Sequence, residues 1–154
     1  MTPAVQHNIA AFITPVIAIA QTSATAGGTG DNTAITGITI DRNAVSTGSK
    51  PLSAIVSVLY DTVMTDTKTL TLKTQKIEHS DDGSTWSDYA TFGDVTIAKT
   101  GTNTRGATKL AVDLGSAKRY VRFDVTPDLS ASGTDTAVIG AAWVFAGFDR
   151  LPAA

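Results

Sequence analysis

The 154-residue chain predicts an all-β fold: an antiparallel β-sandwich or jelly roll of about seven or eight strands behind an extended N-terminal arm. Three observations carry that expectation. Apolar residues recur with a period of two or in short β-branched runs, and no window keeps the stripe of an amphipathic helix. About 25 residues are Thr and only 17% are charged, a composition suited to pleated, half-buried surfaces. Clusters of Gly, Asp, Asn and Pro punctuate the runs with no crossover helix between them, which leaves antiparallel pairing.

Residues 1–32 read as an arm and a linker, ahead of a sandwich body at residues 33–154. The arm runs from Met1 to Ala20, and the linker is the Thr/Ala/Gly-rich stretch Gln21 to Asn32. Ile9, Phe12, Ile13, Val16, Ile17 and Ile19 give the arm more apolar character than a water-facing tail carries, so it is either an adhesive element or a first core strand. Thr36 to Ile40 is the next strand, with Ile38 and Ile40 on one face and Thr39 on the other. Leu52 to Asp61 continues in β-branched style. In Leu70 to Ile77, Leu70 and Leu72 alternate with Thr71 and Lys73 before the phase weakens. Asp94 to Ala98 and Lys109 to Leu114 follow. Arg119 to Val125 then sets Val121, Phe123 and Val125 against Tyr120 and Arg122, and Ala137 to Phe148 closes the series. Gly27-Gly28-Thr29-Gly30, Gly48 with Pro51, Asp81-Asp82-Gly83, Gly101 with Asn103, and Pro127 to Gly133 supply the reversals.

Charge and composition exclude several function classes. Twelve Lys and Arg stand against fourteen Asp and Glu, for a net charge of -2, and no basic stripe offers phosphates a track, so no nucleic-acid partner is expected. Without Cys there is no disulfide frame, thiolate zinc site or cysteine nucleophile. The longest apolar run, Ile9 to Ala20, is interrupted by Pro15 and falls short of the roughly twenty residues a membrane helix needs. Ala18-Ile19-Ala20 before Gln21 faintly resembles a cleavage site, yet no Lys or Arg precedes Arg42 to make a signal peptide's basic region.

The few reactive side chains do not assemble in sequence into an active site. His79-Ser80-Asp81-Asp82 carries a base, a hydroxyl and acids, but neighbours on a strand point to opposite faces, and Asp-Asp-Gly is turn chemistry. His7 stands alone. Asp81, Asp82 and Asp88 offer oxygens to a hard cation without the spacing of a calcium loop. Gly27-Gly28-Thr29-Gly30 lacks the Lys and helix of a phosphate cradle. No catalytic residue, metal or cofactor is expected, and the protein reads as non-enzymatic.

The most distinctive pattern is Ser80-Asp81-Asp82-Gly83-Ser84-Thr85-Trp86, followed by Arg119-Tyr120-Val121-Arg122. Spanning roughly residues 52 to 125, it resembles the hairpin and strand of discoidin-type and galactose-binding-like sandwiches, and of bacteriophage virion β-sandwiches. With Ile38-Thr39-Ile40-Asp41-Arg42, the strand Met64 to Gln75 and the ending Phe148-Asp149-Arg150-Leu151-Pro152, the whole chain is similar to the phage proteins that decorate and cement capsids. That resemblance implies a structural protein on the exterior of the virion, made in the host cytoplasm. It implies two partners: the major capsid protein and further copies of the chain itself, as a dimer or trimer. Arg42, Arg119, Arg122 and Arg150 are then candidate polar anchors, and Phe145, Phe148 and Leu151 join the arm as candidate apolar contacts. Two alternatives stand beside it. One is a carbohydrate-binding module using Tyr60, Tyr89, Phe92 or Trp143, although Trp143 sits in a run apolar enough to be core or interface. The other is a head-tail or tail-tube component. No membrane partner is expected.

Overall fold

The structure is a computed structural model and describes residues 12–131 and 133–150. Ten strands form: β1 (Thr14–Thr25), β2 (Ile35–Thr36), β3 (Ile40–Asp41), β4 (Pro51–Val63), β5 (Thr69–Ser80), β6 (Ser87–Thr91), β7 (Val95–Ala98), β8 (Thr104–Asp113), β9 (Tyr120–Leu129) and β10 (Thr136–Phe148). They make two antiparallel sheets. One has the order β1-β10-β4-β8; in the other, β9 and β5 are central, β2 and β3 pair with β9, and β6 and β7 pair with β5.

This order is a jelly roll. If β2 and β3 are taken as one broken strand, and β6 and β7 as another, eight strand positions remain. The first pairs with the last, the second with the seventh, the third with the sixth and the fourth with the fifth, as when one long hairpin is wrapped over itself. The all-β sandwich expected from the sequence is therefore the fold, and the two interruptions account for ten strands against the expected seven or eight.

The core lies between the sheets. Val56 and Val58 of β4, Leu70, Leu72 and Ile77 of β5, Val121, Phe123 and Val125 of β9, and Trp143 and Phe145 of β10 are all fully buried. The Val121, Phe123, Val125 face of β9 is the one its alternation predicts. The weakening phase of β5 also has a cause. Thr74 takes a left-handed backbone (φ 50°) at a bulge between Lys73 and Lys76, so the inward positions change from even (Leu70, Leu72) to odd (Gln75, Ile77). The break between β6 and β7 faces that bulge, where the Phe92 N–H donates to the Gln75 carbonyl at 2.8 Å and Gln75 Nε2 donates to the Gly93 carbonyl at 3.0 Å.

Two expectations are corrected. Of the two alternatives for the arm the core strand is the one formed, and the linker from Gln21 is corrected: Thr14 to Thr25 is strand β1, paired along its length with β10 and burying Ala18, Ile19 and Ala24. Its Ala- and Thr-rich composition reads as linker, but small residues suit a strand that packs closely at a sandwich edge. Ile38 and Ile40 do not share a face: Ile40 is buried and Ile38 is 46% exposed. The strand breaks between them because Gly37 and Ile38 turn toward β1, where the Ile38 N–H donates to the Ala18 carbonyl at 2.8 Å.

Arg42 opens a one-turn 3-10 helix (Arg42–Ala44) capped by Asp41, whose Oδ1 accepts from the Asn43 N–H at 3.0 Å. Its side chain is only 1% exposed. The guanidinium donates to the carbonyls of Pro51 and Leu114, each at 2.6 Å, to that of Lys118 at 3.0 Å, and to that of Ala117. The expectation of a rim anchor at Arg42 is overturned. A planar fork of five donors is suited to collecting carbonyls where several chain segments converge at one end of a sandwich. Among the described residues, no helix is long and apolar enough to cross a membrane.

Candidate functional site

The outer faces of the two sheets differ in chemistry. On the β9-β5 sheet, outward charges are bonded to one another. Lys73 meets Asp128 at 2.5 Å, Lys76 meets Glu78 at 2.7 Å and Asp88 at 2.9 Å, and Arg122 donates to Glu78 at 2.6 Å. The Arg122 guanidinium also lies 4.2 Å from the centre of the Trp86 ring, a cation–π contact that covers the indole. This face is held by its own network.

That network sets an acid limit on stability. Burial works to raise the Glu78 pKa, but Lys76 and Arg122 overcome it and hold the carboxyl below its ordinary value. In the adjacent turn the N–H groups of Thr85 and Ser84 hold Asp82 well below the carboxylate range. Asp124 is displaced upward by burial, reinforced by the Glu78 charge and opposed by the Gly37 N–H. For Glu78 and Asp82 the folded chain takes up its proton at lower pH than the unfolded chain does. The stability they give is complete above the ordinary range near about 4 and is lost as pH falls toward their folded values. Asp124 acts in the opposite sense. The midpoint of thermal unfolding is therefore expected to fall between about pH 5 and about pH 2, and Glu78→Gln to make that fall shallower. A scanning-calorimetry profile that is flat across this interval and unchanged by the substitution would contradict the assignment.

The outer face of the β1-β10-β4-β8 sheet carries exposed large apolar side chains, with its charged residues toward β8. Its registers align Pro15, Val144, Ile55 and Ala111 in one row across four strands, and Ile17, Ala142, Ser57 and Lys109 in the next. Beyond these come Gly140, Leu59 and Ala107, then Val138, Asp61 and Arg105. Ile17 is 59% exposed, Leu59 50%, Val63 46% and Ile13 38%. A hollow of about 540 Å³ opens here, lined by Ile13, Ile55, Ala111, Val144 and Ala146 among others. A second, of about 360 Å³, lies between Gln21, Leu59, Val138, Gly140 and the Asp61–Arg105 ion pair. Apolar residues gathered on one face in this way make it the candidate contact surface.

The candidate contact residues fall into separate groups. Ile13 and Ile17 lie on this face. Phe12, Val16 and Phe148 are half-buried, the last two packed on the core. Ile19 and Phe145 are interior, with Phe145 stacked on Trp143 at 5.1 Å between ring centroids; both are corrected from contact to core. Ile19 turns inward because the β1 register shifts on either side of it. Arg119 is bonded to Asp41 at 2.7 Å and lies over Tyr120, Arg122 is committed to Glu78 and Trp86, and Arg150 is exposed. Ile9 and Leu151 lie outside the described residues.

Sequence reasoning passed over Ile55, Leu59, Val63, Val138, Val144 and Ala111. Their signal is present in Leu52 to Asp61, where Ala54, Val56 and Val58 already fill the inward positions and Ile55 and Leu59 put apolar residues on the other face too. Ser53, Ser57 and Asp61 share that outer face with them, and the apolar residues among them are the surplus that marks it as a candidate contact face.

The remaining motifs have structural partners. Ser80 Oγ donates to Asp82 at 2.8 Å and accepts from the Gly83 N–H, while Asp82 accepts from the N–H groups of Ser84 and Thr85 at 2.8 Å. Asp81 pairs with Lys118 and Asp88 with Lys76, so the three carboxylates are held by different elements. Of the aromatic residues considered for sugar binding, Trp143 is fully buried, Tyr60 and Phe92 are half-buried against the core, and Tyr89 donates its hydroxyl to the Asp113 carbonyl at 2.7 Å.

No family model matches the chain, and no curated protein matches it. Among solved structures, the PBSX exported protein XepA is similar at 19% identity with a TM-score of 0.44, over 91% of this chain and 39% of its own. A structure of infectious bursal disease virus, Gx strain, is similar at 10% identity with a TM-score of 0.41, over 90% of this chain and 37% of its own. The chain thus spans less than half the length of either.

Proposed function

We propose that this is a non-enzymatic phage virion protein that binds the outer surface of the capsid and stabilises the head, and that it docks through the outer face of the β1-β10-β4-β8 sheet. The observation that supports this reading is the contrast between the faces: one is closed by its own ion pairs, and the other leaves Ile13, Ile17, Leu59 and Val63 open to water. A cementing role needs adhesive area, and repetition on a lattice multiplies weak contacts by avidity. On this reading the protein resides on the virion exterior and the major capsid protein is its partner.

Co-sedimentation with shells assembled from the major capsid protein of the same genome tests it. Saturable binding at a fixed ratio per capsid subunit is expected. Ile17→Lys with Leu59→Lys should weaken binding at least about tenfold, since each buried aliphatic side chain contributes roughly 1.5 kcal/mol or more, while circular dichroism stays unchanged. Failure to bind either expanded or unexpanded shells would overturn the proposal.

A further inference from the structure

The β1-β10-β4-β8 sheet ends at β8, which pairs with β4 on one side and, among the described residues, with no strand on the other. The direction of its free groups follows from the register. The Leu114 N–H donates to the Leu52 carbonyl at 2.7 Å, which places even-numbered β8 residues on the β4 side of the ladder. Arg105, Ala107, Lys109, Ala111 and Asp113 therefore direct their backbone N–H and C=O groups away from β4. The same five residues put their side chains on the outer face, opposite Asp61, Leu59, Ser57, Ile55 and Ser53. An unpaired ten-residue edge of this kind is a template for another strand.

We infer that the occupant of this edge is a second copy of the chain, with two β8 strands pairing antiparallel about a two-fold axis at Ala111. Charge selects that register. Centred on Ala111, Lys109 of each copy faces Asp113 of the other, and both side chains are exposed; neither makes an ion pair among the described residues. Centred on Lys109, the two ammonium groups would oppose each other, and centred on Ala107, Arg105 would face Lys109; like charges directly opposite are destabilising. The Ala111 axis also pairs odd residues with odd residues, so the outward backbone groups meet their complements. Asp113's carbonyl already accepts the Tyr89 hydroxyl and keeps a second lone pair for the partner. The row Pro15, Val144, Ile55, Ala111 would then run on through Ala111 of the partner into the same row reversed, joining the two hollows beside Ile55 into one apolar surface. An isologous two-fold contact of this kind closes on itself and does not propagate into fibres. The pairing is independent of what the face docks on.

Sedimentation velocity of the full chain over a concentration series is the test. A dimer is expected, with Lys109→Asp and Asp113→Lys each weakening it at least about tenfold by setting like charges opposite one another. Mixing these two variants should restore association, because each then supplies the charge the other's partner position lacks. Asp113 Oδ1 also accepts from the Gly115 N–H, so recovery on mixing separates pairing from a local folding defect. Ala111→Pro, which removes a donor that β4 does not use, should give a folded monomer. A wild-type chain that stays monomeric at every concentration overturns the proposal, as does a dimer indifferent to both charge reversals.

Discussion

Arg42→Met is expected to destabilise the protein by about 4 kcal/mol, lowering the thermal midpoint by roughly 12 °C. Methionine keeps the apolar stem out to about the position of Nε, so the loss falls on the hydrogen bonds of the guanidinium and on the small void it leaves. The guanidinium serves the carbonyls of Pro51, Leu114, Ala117 and Lys118. Leu114's also accepts from the Ala117 N–H at 3.0 Å. Each buried acceptor stripped of its donor costs about 1–3 kcal/mol, carbonyls toward the lower end because one lone pair often remains satisfied. Burial pulls the Arg42 pKa down, offset in part by Tyr89 and Asp149, but a guanidinium stays charged at any working pH. Arg42→Lys should recover little, since an ammonium is a compact point with three donors and cannot span four carbonyls set around a planar fork. Equilibrium urea unfolding of the three proteins measures this. A lysine variant as stable as wild type would mean that charge, and not the fork, holds this end of the sandwich.

Arg42 also shows what the sequence makes legible and what it does not. Period-two alternation in Val121, Phe123 and Val125 reports burial because each strand residue has only two directions to point. A sandwich or jelly roll then follows from the spacing of such runs, and the pairing order of the strands is what makes it a jelly roll. Arg42 carries no such signal: a buried arginine and an exposed one have the same neighbours in sequence, and the carbonyls that recruit it lie 9 and 72 to 76 residues away. The β1 strand was obscured for a different reason. Its register shifts between Ile17 and Ile19 and again between Ile19 and Thr22, so no alternation survives long enough to be read. On the candidate contact face, Ile13 and Ile17 are legible as surplus hydrophobicity in the apolar run Ile9 to Ala20. Ile55, Leu59 and Val144 were not, because an apolar residue on the outer face looks in sequence like one more core residue.

Gly37→Ala should be among the most damaging substitutions, at about 3 kcal/mol, because it introduces a single methyl where backbone stands on two sides. A Cβ at this position would lie 2.2 Å from the Phe123 carbonyl oxygen and 2.9 Å from that of Ala18. Both are main-chain atoms of strands, β9 in one sheet and β1 in the other, so neither can turn aside as a flexible side chain would. The segment must move outward instead, and two bonds move with it: the Gly37 N–H to Asp124 Oδ1 at 3.1 Å and the Ile38 N–H to the Ala18 carbonyl at 2.8 Å. The first satisfies a carboxylate that is only 8% exposed, and the second joins the edges of the two sheets. Gly93→Ala is the matched control, since nothing lies within 4 Å of its added Cβ and its effect should stay within about 0.5 kcal/mol. Hydrogen exchange distinguishes strain from general loosening. The Ile38 amide should lose protection in Gly37→Ala far more than the amides of Val56 or Phe123, as a local opening requires. Uniform loss across all three would place the damage in the whole core, and wild-type stability would show that the two sheets do not depend on this seam.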